Sequence, residues 1–209
     1  MLTEKTVKDF AQQLSDKVPV PGGGGASALA AALAAALGSM AANYTIGKKS
    51  YAMYEADVKE LLATADKLRI KLLELVEEDA KAFEPLSKAY AIPKDDPGRE
   101  EALQAATLNA AYTPLDIMDA CADVIDVLDE LVEKCSRLVL SDVGCGAILA
   151  GAALRAAAMN VFVNTSSLKD RNKAEELELT AERLLEDYLP LADVIAETVT
   201  ADIRDSADI

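Results

Sequence analysis

Apolar residues recur along most of this chain at steps of three and four, the spacing that places them on one face of an α-helix. Six stretches show this spacing, and none shows the alternation of apolar and polar residues that is typical of a half-buried strand. With no linker or internal repeat, the pattern predicts one all-α domain over 1–209, a bundle of about six helices without a sheet. The predicted helices cover, approximately, 4–14, 26–43, 54–90, 99–134, a stretch starting at 141 and a stretch from 170 towards the C-terminus.

Capping residues and prolines set the expected ends and bends of these helices. Thr3 and Ser141 are predicted N-caps, because a short hydroxyl side chain can accept a hydrogen bond from a free N–H of the first turn. Asp142 would then lie in the first turn, where the helix dipole favours a carboxylate. Bends are expected where a proline removes a backbone donor inside a helix, at Pro85, Pro114 and Pro190.

The second and fifth helices consist largely of alanine, glycine and serine. Such small-residue helices predict close backbone packing inside a bundle. The second helix is also long enough to cross a membrane. However, alanine and glycine insert poorly compared with leucine, and no aromatic belt flanks the segment. The sequence therefore favours a buried helix and predicts no membrane association.

The last helix carries apolar residues at alternating steps of four and three, which is typical of a coiled-coil seam. Together with the small-residue helices, this seam offers more apolar face than one bundle needs, so the sequence predicts a homodimer. The seam comprises Leu177, Ala181, Leu184, Tyr188, Leu191, Ile195 and Thr198.

The charge and the cysteines exclude several function classes. A formal net charge of −15 argues against nucleic-acid binding and against adsorption to anionic lipid. The chain has no histidine, and its three cysteines form no C-x-x-C pair, so a metal site would be hard to assemble. Cys121, Cys135 and Cys145 are therefore predicted to be buried free thiols. The charged N-terminus lacks a signal-peptide core, which favours a cytoplasmic location.

Four consecutive glycines, Gly22 to Gly25, precede the second helix. A glycine-rich turn that opens a helix exposes backbone N–H groups at the positive end of the dipole, which suits a phosphate or a carboxylate. The run is neither a P-loop, since no G-K-[ST] follows, nor a dinucleotide fingerprint, since no strand precedes it. The alternative is a helix-entry turn where two backbones pass closely, and the spacing leaves both interpretations open.

Asp79 lies on an otherwise apolar stripe, four residues after Leu75 and four before Phe83. Burial there would raise the pKa of its carboxyl group and make it a candidate acid or base near neutral pH. The alternative is a structural hydrogen bond or ion pair between helices. Because histidine is absent, any acid–base catalyst must be an aspartate, glutamate, lysine, tyrosine or cysteine.

Asn160 and Asn164 lie four residues apart at the end of the fifth helix and would share one face if the helix extends that far. Paired amides suit a ligand with a ring of donors and acceptors. The spacing alone favours the alternative of C-terminal helix capping. Lys48, Lys49 and Arg155 are the cations best placed to bind an anion.

Three segments, taken together, resemble the cyclodeaminase/cyclohydrolase family of folate enzymes. They are PVPGGGGASALAAALAAALGSMAANYTIGKK, LVEEDAKAFEPLSKAYAIPK and SDVGCGAILAGAALRAAAMNVFVNT. They occur in the expected order, and the likeness covers essentially the whole chain. One departure concerns the residue after the third glycine, which is often serine in the family and is Gly25 here, with Ser27 two residues away.

The resemblance implies an all-helical protein, at least dimeric, with a folate cleft formed by the glycine turn and the helix of Asp79. It implies hydrolysis of 5,10-methenyltetrahydrofolate to 10-formyltetrahydrofolate, with Asp79 transferring protons and no cofactor or metal beyond the folate substrate. The alternatives are formiminotetrahydrofolate cyclodeamination, which releases ammonia, and a non-catalytic helical interaction module. The candidate binding residues are Gly22, Gly23, Gly24, Gly25, Ser27, Asn43, Lys48, Lys49, Phe83, Asp142, Asn160 and Asn164.

Overall fold

A computed structural model describes residues 1–205, and within this range the chain forms six α-helices, two short 3₁₀ turns and no strand. The 3₁₀ turns are Lys49–Tyr54 and Arg137–Val139. The all-α prediction is therefore confirmed. The helices are α1 Val7–Ser15, α2 Gly23–Thr45, α3 Glu55–Ala91, α4 Arg99–Lys134, α5 Leu140–Thr165 and α6 Arg171–Asp205.

Helix α4 lies at the centre and contacts α2, α3, α5 and α6, while α2 packs between α3 and α5. Helices α2 and α5 run antiparallel, since Gly23 lies beside Asn160 at one end and Thr45 bonds Ser136 at the other. A Cβ added at Gly146 of α5 would lie 3.4 Å from the carbonyl oxygen of Ala34 in α2. This close approach confirms the predicted packing of the two small-residue helices.

Two predicted N-caps are wrong, and the predicted start of α2 is also wrong. Thr6, not Thr3, caps α1 by accepting the Asp9 N–H at 3.1 Å, while Thr3 donates from its N–H and Oγ1 to Glu77 of α3. Helix α2 begins at Gly23, inside the glycine run rather than after it. Ser141 caps nothing, because the 3₁₀ turn before α5 makes the backbone helical already at Leu140.

The α6 seam packs mostly inside the protomer. The prediction that its apolar residues are available for contacts with a second copy of the chain is therefore wrong. Leu177, Ala181 and Ile195 are buried, and the other leucines of the seam and Tyr188 are half-buried, against α5 and α4. Thr198 alone in the seam is exposed. The heptad spacing thus describes packing within one bundle.

The three cysteines are free, but only two are buried. Burial raises the pKa of the Cys121 thiol to about 12 and that of Cys135 to about 11, which keeps both protonated and unreactive at neutral pH. Cys145 is exposed on α5, so its predicted burial is wrong. It occupies an outward position of the small-residue helix.

Two segments, Gly23–Thr45 and Arg137–Thr165, are long and apolar enough to cross a membrane by length and composition. However, 61% and 50% of their apolar windows are buried inside the protein. A core helix of a helical bundle meets the same criterion, which agrees with the preference for buried helices.

Asp170→Ala is expected to lower the free energy of unfolding by about 1 kcal/mol, the usual contribution of an N-cap. Its Oδ1 accepts the Lys173 N–H at 3.1 Å in the first turn of α6. Denaturant unfolding measures the change. Asp193→Ala, an exposed position inside the same helix, is the control, with an expected change within about 0.5 kcal/mol. Equal losses in both variants would contradict the capping role.

Candidate active site

A cavity of about 210 Å³ lies where the first turn of α2, the C-terminal half of α3, the N-terminal half of α4 and the last turns of α5 meet. Larger clefts exist, including an open groove of about 530 Å³ between α3 and α4. The smaller cavity is the candidate site because it combines a partly buried carboxylate, two amides and an aromatic ring. Seven of the residues singled out in the sequence line it: Gly22, Gly23, Gly24, Asp79, Phe83, Asn160 and Asn164.

Asp79 projects from α3 against the beginning of α2. The Gly25 N–H donates a hydrogen bond to its Oδ2 at 2.9 Å, and no salt bridge within residues 1–205 involves the carboxylate. Burial raises the pKa of Asp79 above the usual aspartate range, and the Gly25 N–H acts in the opposite direction. The raised pKa agrees with its position on the apolar stripe of α3.

Asn160 and Asn164 both line the cavity, and their capping interpretation is wrong. The Asn160 Nδ2 donates to the Ala156 carbonyl within α5, while the Asn164 Nδ2 donates across to the Ala110 carbonyl of α4. Across residues 1–205, neither side-chain oxygen accepts a hydrogen bond from the protein. Each oxygen can therefore accept a hydrogen bond from a ligand.

Gly25 and Ser27 support the site without lining the cavity. Gly25 donates its N–H to Asp79, so this amide is already occupied. Ser27 is buried, and its Oγ donates to the Gly24 carbonyl oxygen at 2.7 Å. The hydroxyl thus stabilises the first turn of α2 from inside the helix.

Four other candidates lie at the opposite end of the α2–α5 pair. Asn43 is about 30 Å from Gly23 along α2, at 1.5 Å per residue. Lys48 donates from Nζ to Ser136 Oγ at 2.6 Å beyond the end of α2, and Lys49 begins the 3₁₀ turn that follows. Asp142 lies in the first turn of α5, as predicted. One protomer therefore does not bring these four residues to Asp79, and a binding role for them stays a prediction.

Six apolar or proline side chains of the cavity wall were not predicted from the sequence. Ala82 comes from α3, Ala110 and Pro114 from α4, Val163 from α5, and Pro19 and Val20 from the segment before the glycines. The Val20–Pro21 peptide bond is cis. The four of these residues that lie on helices have the same spacing as core residues, and Pro19 and Val20 lie outside any helix, so no sequence signal marks them as wall residues.

The described residues, 1–205, contain no group of three or more cysteine, aspartate or glutamate side chains that could hold a metal ion. The chemistry available at the cavity is acid–base chemistry by one carboxylate. Phe83 adds a flat apolar surface, and the two asparagine oxygens add acceptors. This arrangement suits a planar ligand with hydrogen-bond donors at its edge.

Residues 6–183 match the sequence model of the family described as Formiminotransferase-cyclodeaminase. The match covers far more than half of the chain, so the protein belongs to this family. The predicted resemblance is confirmed.

Two of the similar proteins cover nearly the whole chain, and a third covers about four fifths of it. A methenyltetrahydrofolate cyclohydrolase of Methylorubrum extorquens is 39% identical over 208 residues, spanning 98% of this chain and 100% of the relative. The solved structure of a formiminotetrahydrofolate cyclodeaminase from Thermotoga maritima superposes with a TM-score of 0.89 at 26% identity, covering 97% of this chain and 100% of that one. The formimidoyltransferase-cyclodeaminase of Sus scrofa is 31% identical over 81% of this chain, which spans 32% of the length of that relative.

Proposed function

We propose that this protein hydrolyses 5,10-methenyltetrahydrofolate to 10-formyltetrahydrofolate, with Asp79 transferring the protons. The observation that carries the proposal is the Asp79 carboxylate, partly buried at the wall of a cavity that also presents two free amide oxygens. A relative that matches over its whole length at 39% identity bears the name of this activity.

The proposed reaction uses the electrophilic carbon that lies between N5 and N10 of the cationic substrate. The Asp79 carboxylate takes a proton from a water molecule as its oxygen bonds to this carbon. The protonated Asp79 then donates that proton to N5 as the carbon–N5 bond breaks. The new hydroxyl loses its proton to solvent and becomes the formyl oxygen on N10, so one water is consumed and one proton released.

The electrostatics of the cavity support this assignment. The substrate ring carries a positive charge, and a carboxylate in a poorly hydrated cavity attracts a cation more strongly than one in water. A raised pKa also makes Asp79 a better base for water and a usable acid for N5. The same group can thus serve both steps, and the proposed reaction requires no metal or redox cofactor.

We assign recognition of the pterin ring to the other side chains of the cavity wall. Phe83 offers a face for stacking, and the oxygens of Asn160 and Asn164 offer acceptors for the ring N–H groups. These roles fit a planar ligand whose edge lies against the two asparagine side chains of α5.

Cyclodeamination of formiminotetrahydrofolate is the second candidate. The superposition on the Thermotoga maritima enzyme favours it, and Asp79 in the same position could protonate the amino group, which leaves as ammonia when its bond to carbon breaks. Hydrolysis is preferred because the relative named for hydrolysis is more similar in sequence, at 39% identity against 26%.

Product identification by mass spectrometry tests the proposal. The protein is expected to convert 5,10-methenyltetrahydrofolate to 10-formyltetrahydrofolate at a rate proportional to protein concentration. Calorimetry with tetrahydrofolate measures binding separately. If the protein shows neither binding nor turnover, a non-catalytic interaction module is favoured.

We also propose that the protein forms a homodimer through an apolar face of α2 and α5. The outward positions of α5 carry large exposed apolar side chains, including Ile148, Met159 and Val163, each about 60% exposed. Leu33 and Tyr44 add a parallel stripe on α2. Both helices contact α4 on their inner sides, so the two stripes lie side by side on the outer surface.

A second copy of the chain is the occupant that the charges favour. Helices α2 and α5 together contain only Asp142 and Arg155 as charged residues, although the whole chain has a net charge of −15. Arg155 is exposed between Ile148 and Met159 on the outer side of α5. A face with so little charge on such an acidic surface is suited to its own copy, while an anionic membrane would be repelled by the rest of the protein. We also propose a cytoplasmic location, which the three free cysteines within residues 1–205 support.

Ile148→Glu is expected to convert the dimer to a monomer at micromolar protein, because the carboxylate would have to be buried without a partner. Sedimentation velocity measures the change. Leu179→Glu adds the same charge at an exposed position of α6, outside the face, and is expected to remain dimeric. A wild-type protein that sediments only as a monomer would remove the basis for this interface.

A further inference from the structure

The Asp79 carboxylate occupies the space that a side chain at Gly24 would need. A Cβ added at Gly24 would lie 2.0 Å from Asp79 Oδ1, 2.6 Å from Cγ and 2.9 Å from Oδ2. No real Cβ lies so near another heavy atom, so any residue other than glycine would displace the carboxylate. Gly24 is itself buried in the first turn of α2.

This requirement is confined to particular glycines of the run. A Cβ at Gly25 would lie 3.7 Å from Asp79 Oδ2, an ordinary van der Waals contact, and one at Gly22 would meet nothing within 4 Å. At Gly23 the added Cβ would lie 3.3 Å from both polar atoms of the Asn160 amide. The two middle glycines therefore accommodate polar side chains that α3 and α5 direct to the cavity.

We infer that Gly24 is a positioning residue, whose missing side chain lets the Asp79 carboxylate lie against the first turn of α2 and bond the Gly25 N–H. This inference rests on the proposed catalytic role of Asp79. The inference also changes the role of the glycine run. The sequence suggested that its N–H groups bind an anion such as a substrate carboxylate, whereas here the Gly25 N–H binds the carboxylate of Asp79.

The positioning acts through one flexible side chain and not through the fold. The three atoms nearest to a Cβ at Gly24 all belong to the end of the Asp79 side chain. Rotation of that side chain is the least costly relief, and it would break the 2.9 Å bond from Gly25 while the helices stay in place. A group moved by about 1 Å from its productive position can lose 10²-fold in rate.

Gly24→Ala is therefore expected to keep the fold and to lower kcat by about 10²-fold, with the Kd for tetrahydrofolate within roughly threefold of wild type. Gly38→Ala is the matched control, because it makes the same change in the same helix at a position where the added Cβ meets only ordinary contacts, the nearest at 3.4 Å. Gly38→Ala is expected to retain wild-type kcat. An unchanged kcat in folded Gly24→Ala, or a raised Kd with normal kcat, would overturn the inference.

A thermal-stability cycle separates this inference from the proposed function. Gly24→Ala is made in the wild type and in Asp79→Ala, where the space of the carboxylate is empty. The alanine is expected to lower Tm in the first background and not in the second, since it then only improves helix propensity. Equal shifts in both backgrounds would overturn the positioning role, and this holds even if the wild type turned over neither folate.

Discussion

Asp79→Asn is expected to lower the turnover of 5,10-methenyltetrahydrofolate by about 10²–10⁴-fold, the usual contribution of a general acid–base group. The amide is nearly isosteric with the carboxylate but cannot exchange a proton. Binding of tetrahydrofolate should stay within roughly tenfold of wild type, because the change removes proton transfer and not the cavity. Steady-state rates per folded protomer measure the effect.

The fold should tolerate this substitution. The oxygen of the introduced amide can still accept the Gly25 N–H, and a neutral amide avoids the cost of burying a charge. Glu78→Gln is the control, since it removes a neighbouring carboxylate that is exposed on the other face of α3. A lower Tm with normal turnover per folded Asp79→Asn protomer would assign Asp79 a structural role.

The turnover of the wild type is expected to fall steeply on the acid side, about tenfold per pH unit below the pKa of Asp79, because only the carboxylate form accepts a proton from water. Burial raises this pKa, so the fall begins at a higher pH than for an exposed aspartate. Two units below the pKa, about 1% of the rate should remain, by the same proton-transfer requirement. A pH profile of kcat/KM measures it, and Asp79→Asn should lack this acid limb.

The raised pKa of Asp79 also predicts how the stability of the fold changes with pH. A carboxyl group whose pKa is raised by folding favours the folded state in its protonated form. Its contribution is complete below the unfolded pKa and is lost as the pH rises through the folded pKa. The Tm of Asp79→Asn relative to wild type should therefore increase from acidic to neutral pH. A Tm difference that is independent of pH would contradict a raised pKa.

The helices and half of the site follow from local sequence patterns. The stripe of Leu72, Leu75 and Phe83 defines the buried face of α3 and marks Asp79 as a carboxylate on that face, where the structure places it. The predicted bounds of α4 agree with the structure because glycine and proline precede the helix and its apolar spacing is unbroken. Local spacing determines such features, so one sequence is enough to predict them.

The rest depends on how distant segments pack. Asn43 lies near the C-terminal end of α2 and Lys48 lies three residues beyond that end, so the length of the helix separates both from the glycines. The antiparallel pairing of α2 with α5 brings Asn160 and Asn164 to the glycines instead. The Gly24–Asp79 contact joins residues 55 positions apart in two helices, and spacing within either helix cannot reveal it. Ser141 has the composition of an N-cap, but the preceding 3₁₀ turn continues into α5.

The most direct test of the account is a comparison of kcat/KM for two substrates on one preparation of the wild type. Hydrolysis is measured as loss of 5,10-methenyltetrahydrofolate above the uncatalysed rate, and cyclodeamination as ammonia released from formiminotetrahydrofolate. The account predicts saturable hydrolysis that exceeds ammonia release by at least about tenfold, a difference of about 1.4 kcal/mol in transition-state stabilisation. Ammonia release that equals or exceeds hydrolysis, or no turnover of either folate, would contradict it.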